Sequence, residues 1–432
     1  MNGETLFQVA RADRDWEPLG DVCRRGGGDI QTGPFGSQLH ASDYVQVGVP
    51  SIMPQNISQD RVDADGIARI TPSDAERLTR YLVKPGDIVY SRRGDVARRA
   101  LITEKEDGWL CGTGCLRVRF GDGVVDPVYA SYFLSHPASR EWVVRHAVGA
   151  TMPNLNTSIL GALPFLLPSL PDQHAIAAVL GALDDKIEQN RRTAQALEKL
   201  AQAIFRAWFV DFEPVKAKAA GAASFPSMPQ EVFDALPTRF TDSEIGPVPE
   251  GWEAVSLDSI ASVGSGKRPT GRSDTPTPEC NIPLYGGGGQ MGYVPQPLYE
   301  NPILFTGRVG TLGLIFRTTD PSWPSDNTLV VEPLSVFFDF VYFTLKEFDL
   351  IALNRGSTQP LLTQTDLKHQ QFAMPNETIV ESFASTTSAL FRKIDADCWE
   401  TRKLAEMRDY LLPKLLSGDV QISVTTGEGE EP

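Results

Sequence analysis

The sequence contains no run of eighteen or more apolar residues, the length that a helix needs to cross a lipid bilayer. Its first residues, MNGETLFQVARADRDW, have no apolar core of the kind that secretory signal peptides carry. We therefore expect a soluble, cytoplasmic protein that makes no contact with a membrane.

Cysteine and histidine are scarce, with five residues of each type. An odd number of cysteines without regular spacing argues against a disulfide framework and fits a reducing compartment. Cys111 and Cys115 are spaced like half of a metal site, but no second pair follows and the histidines are scattered. We expect structural cysteines and no bound metal.

Motifs of the common DNA-modifying and nucleotide-binding enzymes are also missing. An amino-methyltransferase needs two prolines and an aromatic residue after Asn or Asp, whereas Asn301-Pro302 is followed by Ile303. Residues 263–267 resemble a phosphate-binding loop, but Ala261 and Arg268 stand where that loop needs Gly and Ser or Thr. We therefore expect no catalysis by this chain and no cofactor bound to it.

The formal net charge of -15 argues against a protein that coats nucleic acid without regard to sequence. The charge is unevenly distributed, and residues 69–119 contain more Lys and Arg than Asp and Glu. This segment predicts a local basic surface within an acidic molecule.

A long helix is the strongest pattern that is present. Between residues 168 and 212 apolar residues recur at alternating spacings of four and three, which is the seam of a coiled coil. The seam residues are Ile176, Leu180, Leu183, Ile187, Leu197 and Ile204. Asn190 occupies one seam position with a polar side chain, either to fix the register of the helices or as a solvated gap.

The same pattern recurs further along the chain, where residues 356–362 repeat the motif of residues 149–155 at an offset of 207. A second long helix follows, and Asp397 takes the place of Asn190. Its seam residues are Leu390, Ile394, Leu404 and Leu411. Two copies of one entry motif therefore lead into two copies of one helix.

The segments before the two helices also resemble each other. Ile88-Val-Tyr-Ser parallels Ile303-Leu-Phe-Thr, and this alignment places Arg93 against Arg308 and Trp109 against Trp323. Short apolar runs at residues 87–91, 99–103 and 115–120 predict strands, and residues 128–134 predict a helix. Both halves are therefore interpreted as diverged versions of one α+β domain.

The predicted fold class is α+β, with two similar globular domains separated by two long helices that pair as an antiparallel coiled coil, a pseudo-twofold internal repeat. Pro413 is expected to end or kink the second helix early. The predicted segments are a first globular domain (1–168), a first long helix (169–212), a proline-rich linker (213–249), a second globular domain (250–375), a second long helix (376–417) and an acidic tail (418–432).

Two related domains held at a fixed distance suit a ligand with two halves, such as duplex DNA with two half-sites. Six motifs occur in order along the chain, which are Gly33-Pro-Phe-Gly-Ser37, Asp87-Ile-Val-Tyr-Ser-Arg92, Gly149-Ala-Thr-Met-Pro-Asn-Leu155, Trp208-Phe-Val-Asp-Phe212, Gly246-Pro-Val-Pro-Glu-Gly-Trp252 and Leu411-Leu-Pro-Lys-Leu-Leu-Ser-Gly418. On these motifs the chain from about Trp16 to Ile422 resembles the specificity subunit of a type I restriction-modification enzyme.

The resemblance implies a non-catalytic subunit whose globular domains are target-recognition domains. Each domain would read one half of a bipartite double-stranded DNA sequence, and the paired helices would set the half-site spacing. The helices would also dock two modification subunits, which bind S-adenosylmethionine and methylate adenine. Restriction subunits, ATP-dependent translocases and nucleases, would join the complex for DNA cleavage.

Candidate DNA-binding residues are Arg, Lys, Asn and Gln in glycine-rich loops, because these types match base edges in the major groove. In the first domain they are Gln38, Gln55, Asn56, Arg92 and Arg93. In the second domain they are Lys267, Arg268, Gln290, Arg308 and Asn327. Each of them could equally be a solvated loop residue or a phosphate contact.

Three other functions remain open: a subunit of a fused restriction-methylation enzyme, a coiled-coil scaffold whose domains bind protein, and a methyltransferase acting alone. Substituting Arg93 and Arg308 with Glu distinguishes the scaffold, since only DNA recognition depends on these charges. At the end of the first helix, Trp208, Phe209 and Phe212 are interpreted as core contacts with a neighbouring domain rather than as a docking surface.

Overall fold

A computed structural model describes residues 16–58, 60–149, 152–356 and 359–422. The chain forms two compact units. Unit 1 comprises the described residues of Met1–Asn190 and Trp399–Pro432, and unit 2 comprises those of Arg191–Cys398. Each unit therefore contains the beginning of one long helix and the end of the other. Most of the predicted acidic tail, from residue 423 onward, lies outside the described residues.

Unit 1 is built on two four-stranded sheets and two strand pairs. The main sheet is antiparallel, and its strands in spatial order are Gly27–Thr32, Cys115–Gly121, Ile88–Ser91 and Arg99–Leu101. The second sheet contains Leu110–Cys111, Val49–Ile52, Arg69–Ile70 and Tyr44–Val45, with the first two strands parallel. The remaining pairs are Trp16–Pro18 with Pro164–Leu166 and Ile57–Ser58 with Arg61–Val62. The strands predicted at 87–91, 99–103 and 115–120 are confirmed.

Unit 1 also contains five short helices, which are Leu19–Arg25, Pro72–Arg77, Pro127–Ser135, Pro137–His146 and Thr157–Gly161. Ala75 on the second of these belongs to a core cluster with Ile70 and Leu110 of the second sheet. The helix predicted at 128–134 is confirmed, and the Asp126 side chain caps its first turn. Phe133 on this helix packs against Phe165 with ring centroids 4.7 Å apart. This aromatic contact joins the helix to the strand that precedes the first long helix, within one apolar core.

Unit 2 repeats this architecture. The main sheet again has four antiparallel strands, which are Ala261–Ser265, Thr328–Pro333, Ile303–Gly307 and Ile315–Thr318 in spatial order. The second sheet contains Gly289–Val294, Ile282–Gly286 and Trp323–Pro324, the last two parallel. The strand pairs are Phe240–Ser243 with Gly246–Pro249 and Glu253–Ser256 with Gln371–Met374. Short helices span Glu213–Ala219, Gln230–Ala235, Phe338–Glu347 and Gln364–Lys368. The predicted duplication of one α+β domain is confirmed.

Strand pairing corrects the predicted alignment of the two copies by one residue. Cys115 pairs with Ser91 in unit 1, and the corresponding Thr328 pairs with Gly307 in unit 2. Ile88 therefore corresponds to Leu304, not to Ile303. The alignment of Trp109 with Trp323 is also wrong by one residue. Leu110 pairs with Ser51 in unit 1, and Trp323 pairs with Leu284 in the equivalent strands of unit 2, so Trp323 corresponds to Leu110. A slip of one residue moves every side chain of a strand to the other face.

The two long helices extend over Leu170–Phe205 and Glu377–Ser417. The first ends in one π-helical turn at Arg206–Val210. The second continues through Pro413, so the predicted early end at this residue is wrong. Proline removes one backbone donor, but Leu412 and Leu415 on either side are buried and hold the last turns against unit 1.

Within each unit the two helices run antiparallel. In unit 1, Asp184 contacts Arg408 and Asn190 contacts Glu400, so residue numbers rise on one helix as they fall on the other. In unit 2, Phe205 and Trp208 pack on Phe383 near the beginning of the second helix. The predicted fold class, with two α+β domains and an antiparallel helix pair, is confirmed.

The predicted seam residues differ in their burial. In unit 1, Ile176, Leu180 and Ile187 are buried, while Leu183, Leu404 and Leu411 are half-buried. In unit 2, Leu197, Ile204, Leu390 and Ile394 are half-buried. The fully buried side chains of the second helix in unit 2 are instead Val380, Phe383 and Thr387. Asn190 and Asp397 are each only 2% exposed, which excludes a solvated gap at either position.

Residues 213–249, predicted as a linker, contain more structure than expected. Two helices and a β-hairpin form here, and Val215, Phe233 and Val248 belong to the core of unit 2. The prolines that suggested a linker have a different role, since Pro214 lies in the first turn of a helix and Pro229 precedes the next one. The predicted core role of Trp208 and Phe209 is confirmed, since both are buried in this core.

Candidate nucleic-acid interface

In unit 1 three loops meet where the strand Ile88–Ser91 ends. The N–H of Arg92 donates to the carbonyl of Gly114 at 2.8 Å, and the carbonyl of Arg92 accepts from the N–H of Leu155, also at 2.8 Å. These bonds join the strand end to the loop before Cys115 and to the entry motif of the first long helix. We call Phe35, Arg92, Gly114 and Leu155 the first strand-end site.

A glycine turn completes this site. The N–H of Gly33 donates to the carbonyl of Cys115 at 2.9 Å, and a Cβ on Gly33 would lie 2.1 Å from the carbonyl oxygen of Gly112. Only glycine permits so close a backbone approach. The turn places Phe35, which is 55% exposed, with its ring centroid 5.9 Å from the Arg92 guanidinium carbon.

Unit 2 forms the same arrangement with different side chains. The N–H of Arg308 donates to the carbonyl of Asn327 at 2.8 Å, and the N–H of Leu362 donates to the carbonyl of Arg308 at 2.9 Å. The N–H of Gly266 donates to the carbonyl of Thr328 at 3.2 Å, and a Cβ on Gly266 would lie 2.2 Å from a carbonyl oxygen. We call Arg268, Arg308, Asn327 and Leu362 the second strand-end site.

The matching bonds define which residues correspond. Arg92 corresponds to Arg308, whereas the sequence alignment had placed Arg93 there. The bridge between Arg93 and Asn154 has its counterpart between Val309 and Leu361, so the equivalent of Arg93 is a valine. Arg93 is exposed to solvent. Only the one-residue slip of the strand alignment made Arg93 and Arg308 look equivalent.

The loops around the two arginines differ in chemistry. Gly33 and Gly266 are equivalent. The residues that follow Gly33 are Pro34 and Phe35, whereas those that follow Gly266 are Lys267 and Arg268. Asn327 likewise takes the place of Gly114, because the carbonyl oxygen of each accepts from the adjacent arginine N–H. Both Lys267 and Arg268 are exposed. The second strand-end site is therefore more basic and more polar than the first.

Two of the predicted polar candidates in unit 1 have structural partners. The side-chain oxygen of Gln38 accepts from the Phe35 N–H at 3.2 Å and from the Tyr81 hydroxyl at 2.8 Å. Asn56 is buried, and its amide group bonds to the Met53 N–H and the Asp63 carbonyl. These contacts order the loops near the site, and those of Asn56 use both its amide oxygen and its amide nitrogen.

The remaining candidates lie on exposed loops. Gln55 is exposed and follows Pro54, whose Cγ lies 3.4 Å from the Cβ position of Gly114. This loop therefore borders the first strand-end site. Gln290 is also exposed, and its amide nitrogen lies 3.5 Å from the Gly292 carbonyl. The glycine run before it approaches Gly307, with the Cβ position of Gly287 3.0 Å from the Cα of that residue.

A feature that the sequence did not reveal is shared by Arg92 and Arg308. The Nε atom of each is buried and has no hydrogen-bond partner among the residues that the structure describes. A buried N–H without an acceptor costs about 1–3 kcal/mol. Arg99, Arg117 and Arg317 also have a buried Nε without a partner, so this feature alone does not mark a binding site.

The basic segment 69–119 lines a cleft of about 540 Å³ in unit 1. Two of its arginines are already paired, since Arg117 donates to Asp29 at 2.5 Å and Arg119 donates to Asp87 at 2.7 Å. The hydrogen bond to Asp87 raises the pKa of Arg119. The pairing neutralises two of the arginines that line the cleft, whose exposed cations are Arg80 and Lys84.

Three of the five cysteines, Cys23, Cys111 and Cys115, are buried, and burial raises the pKa of the Cys111 thiol to about 12. A thiol with so high a pKa is protonated at neutral pH and is a poor nucleophile. None of the helices in the described ranges is long and apolar enough to cross a membrane.

Comparison with known proteins identifies the family. The model of the type I restriction modification DNA specificity domain matches residues 14–199 and 249–396, one match for each copy of the repeat. The HindI specificity subunit of Haemophilus influenzae is 24% identical, and the match covers 80% of this chain and 89% of that protein. The MjaIX specificity subunit of Methanocaldococcus jannaschii is also 24% identical, with 97% of each chain covered.

A solved structure shows the same fold over nearly the whole chain. The S subunit of a type I restriction-modification system from M. genitalium superposes with a TM-score of 0.55 at 18% identity, and the match covers 94% of this chain and 97% of that one. Because the family model matches well over half of the sequence, the chain belongs to the family of type I restriction-modification specificity subunits.

Proposed function

We propose that this chain is a non-catalytic specificity subunit in which each unit reads one half of a bipartite duplex DNA sequence. The observation that carries the proposal is the pair of strand-end sites, which share one backbone framework and differ in the side chains around it. A shared framework suits two related half-sites, and different side chains suit two different base sequences.

The residue types at these sites support recognition of duplex DNA. Arginine and lysine match guanine edges and phosphates, and asparagine matches adenine. The candidates with exposed or unpaired polar groups are the ones we assign to DNA: Gln55, Arg92, Arg93, Lys267, Arg268, Gln290, Arg308 and Asn327. Gln38 and Asn56 order the loops that present them.

The long helices support a role as a spacer. Both are continuous, and each contributes residues to both units. A continuous helix has a fixed rise of about 1.5 Å per residue, so it holds a distance that a flexible linker does not. We propose that the helix pair sets the half-site spacing and docks two modification subunits.

The partners complete the chemistry. The modification subunits would bind S-adenosylmethionine and methylate adenine, and restriction subunits would translocate and cleave unmodified DNA. This chain itself would hold no cofactor. Its net charge of -15 repels DNA phosphates, so the isolated chain is expected to bind DNA weakly. In the complex, most phosphate contacts would come from the partner subunits.

Methylome sequencing tests this function. The chain is expressed together with the modification subunit encoded beside it, in a host that lacks adenine methylation. We expect N6-methyladenine in a single bipartite motif, and none when the chain is omitted. Methylation that does not depend on the chain, or that falls in a continuous motif without a spacer, would contradict the proposal.

A further inference from the structure

Arg92 and Arg308 are the only cationic pair that the two strand-end sites share at equivalent positions among the described residues. Both copies form the same two backbone bonds around the arginine, and both bury its Nε without a partner. The residues around them differ, since Phe35 contacts Arg92 in one copy and Arg268 stands at the position of Phe35 in the other. The arginine is thus held constant while its surroundings vary.

Other arginines close to the sheets show what a structural role looks like here. Arg99 donates to Asp60 at 2.7 Å, and Arg317 donates to Asp395 at 2.6 Å. Arg117 likewise pairs with Asp29. A buried Nε without an acceptor does not separate the two groups, since Arg99, Arg117 and Arg317 have one as well. What separates them is that neither Arg92 nor Arg308 has a carboxylate partner among the residues that the structure describes. Their charge is not consumed within the protein.

A side chain that is identical in two readers of different sequences must contact something that both half-sites have in common. The sugar-phosphate backbone is common to every sequence, whereas base edges are not. A guanidinium presents a rigid fork of N–H donors that matches a phosphate bidentately. Arg92 and Arg308 are each half-buried, so part of each side chain remains accessible to a phosphate.

We propose that Arg92 and Arg308 form two equivalent phosphate-binding subsites, which position each half-site without reading its bases. The inference rests on the proposed DNA-reading function and adds that different residues contact the phosphates and the bases. The two arginines fix the register of the duplex on each unit. Sequence is then read by residues that differ between the copies, which include Lys267, Arg268 and Asn327 in unit 2 and Gln55 and Arg93 in unit 1.

The test uses the complex of the chain with its modification subunits and two duplexes, one with the methylated motif and one scrambled. Binding is measured by fluorescence anisotropy over a series of salt concentrations. In Arg92→Gln and Arg308→Gln we expect affinity for both duplexes to fall by a similar factor, about tenfold. The slope of log K against log salt should decrease by about 0.9 for each phosphate that is no longer neutralised. Arg92→Lys and Arg308→Lys should retain the slope.

Arg98→Gln provides the matched control, because Arg98 is exposed and paired with Asp95 on the same loop. We expect it to leave both affinity and slope unchanged. The methylated motif should be the same for all variants that still methylate.

Three results would overturn the inference. A change in the methylated sequence of Arg92→Gln would make this arginine a base reader. A lower melting temperature in both Gln and Lys variants with an unchanged salt slope would make the role structural. A decrease of slope in Arg98→Gln equal to that of Arg92→Gln would make the effect non-specific. Failure of the proposed function is a separate outcome, in which the wild-type complex binds the two duplexes equally.

Discussion

Asp184 on the first long helix accepts a hydrogen bond of 2.7 Å from Arg408 on the second. Its other carboxylate oxygen accepts one of 2.6 Å from the hydroxyl of Tyr132 in the globular part of unit 1. Burial, and then the bond to Asp184, raise the pKa of Tyr132, which stays a protonated donor. One carboxylate therefore ties three elements of unit 1 together.

Removing this carboxylate should destabilise unit 1. In Asp184→Ala both the Tyr132 hydroxyl and the Arg408 guanidinium lose an acceptor in a largely buried place, at a cost of about 1–3 kcal/mol. Urea unfolding followed by circular dichroism measures the change. The control is Glu406→Ala. Glu406 lies on the second long helix, like Arg408, and pairs with Lys403 on an exposed face. We expect less than about 0.5 kcal/mol there, and equal losses of stability in the two variants would refute this role of Asp184.

The turn that holds Phe35 beside Arg92 depends on the absence of a side chain at Gly33. A Cβ at this position would lie 2.1 Å from a backbone oxygen, so Gly33→Ala must push the turn away from the site. We expect the affinity of the complex for its DNA motif to fall by about tenfold, the equivalent of about 1.4 kcal/mol. At Gly36, in the same turn, a Cβ would meet nothing within 4 Å. Gly36→Ala should therefore bind DNA like the wild type, and similarly weakened binding in both variants would contradict this account of the turn.

His136 makes the stability of unit 1 depend on pH. Burial lowers its pKa from the ordinary 6.5 to about 4, and its Nδ1 accepts a hydrogen bond from the Ala138 N–H. The unfolded chain takes up a proton near pH 6.5, whereas the folded chain does so only near pH 4. The contribution of neutral His136 to the free energy of unfolding is therefore fully present above about pH 6.5. It is lost as the pH falls toward 4, by at most about 1.4 kcal/mol per pH unit.

The variant His136→Asn isolates this effect, because asparagine keeps an acceptor at the start of the helix and does not titrate. Urea unfolding at several pH values between about 7 and about 4 should show a shallower loss of stability than in the wild type. The exposed His369, changed to Asn, serves as the control. A wild-type slope in His136→Asn would show that other groups cause the dependence.

The sequence predicted the helices and the duplication because both leave long-range patterns. A seam of alternating spacings is visible over about forty residues, and the offset of 207 holds without a gap from the entry motif through the second helix. In the globular segments insertions change the offset, which has risen to 216 between Arg92 and Arg308. Identity alone then aligned Ile88 with Ile303.

Burial explains why the strand register could not be read from the pattern. All residues of Ile88–Ser91 and of Ile303–Gly307 are buried, so neither strand shows the alternation that would reveal which face a residue occupies. The unpaired Nε atoms of the two arginines depend on three-dimensional neighbours and leave no trace in the sequence. The core role of residues 213–249 was hidden for a related reason, since prolines that begin helices look like prolines of a linker.

The central claim is that the two units read separate halves of one sequence. The most direct test is the methylome of a host expressing the modification subunit with either the wild-type chain or a variant in which Lys267, Arg268 and Asn327 are all changed to Ala. We predict that one half of the methylated motif becomes altered or relaxed, while the other half and the spacer length stay the same. A motif in which both halves change together, or in which the spacer changes, would contradict the account.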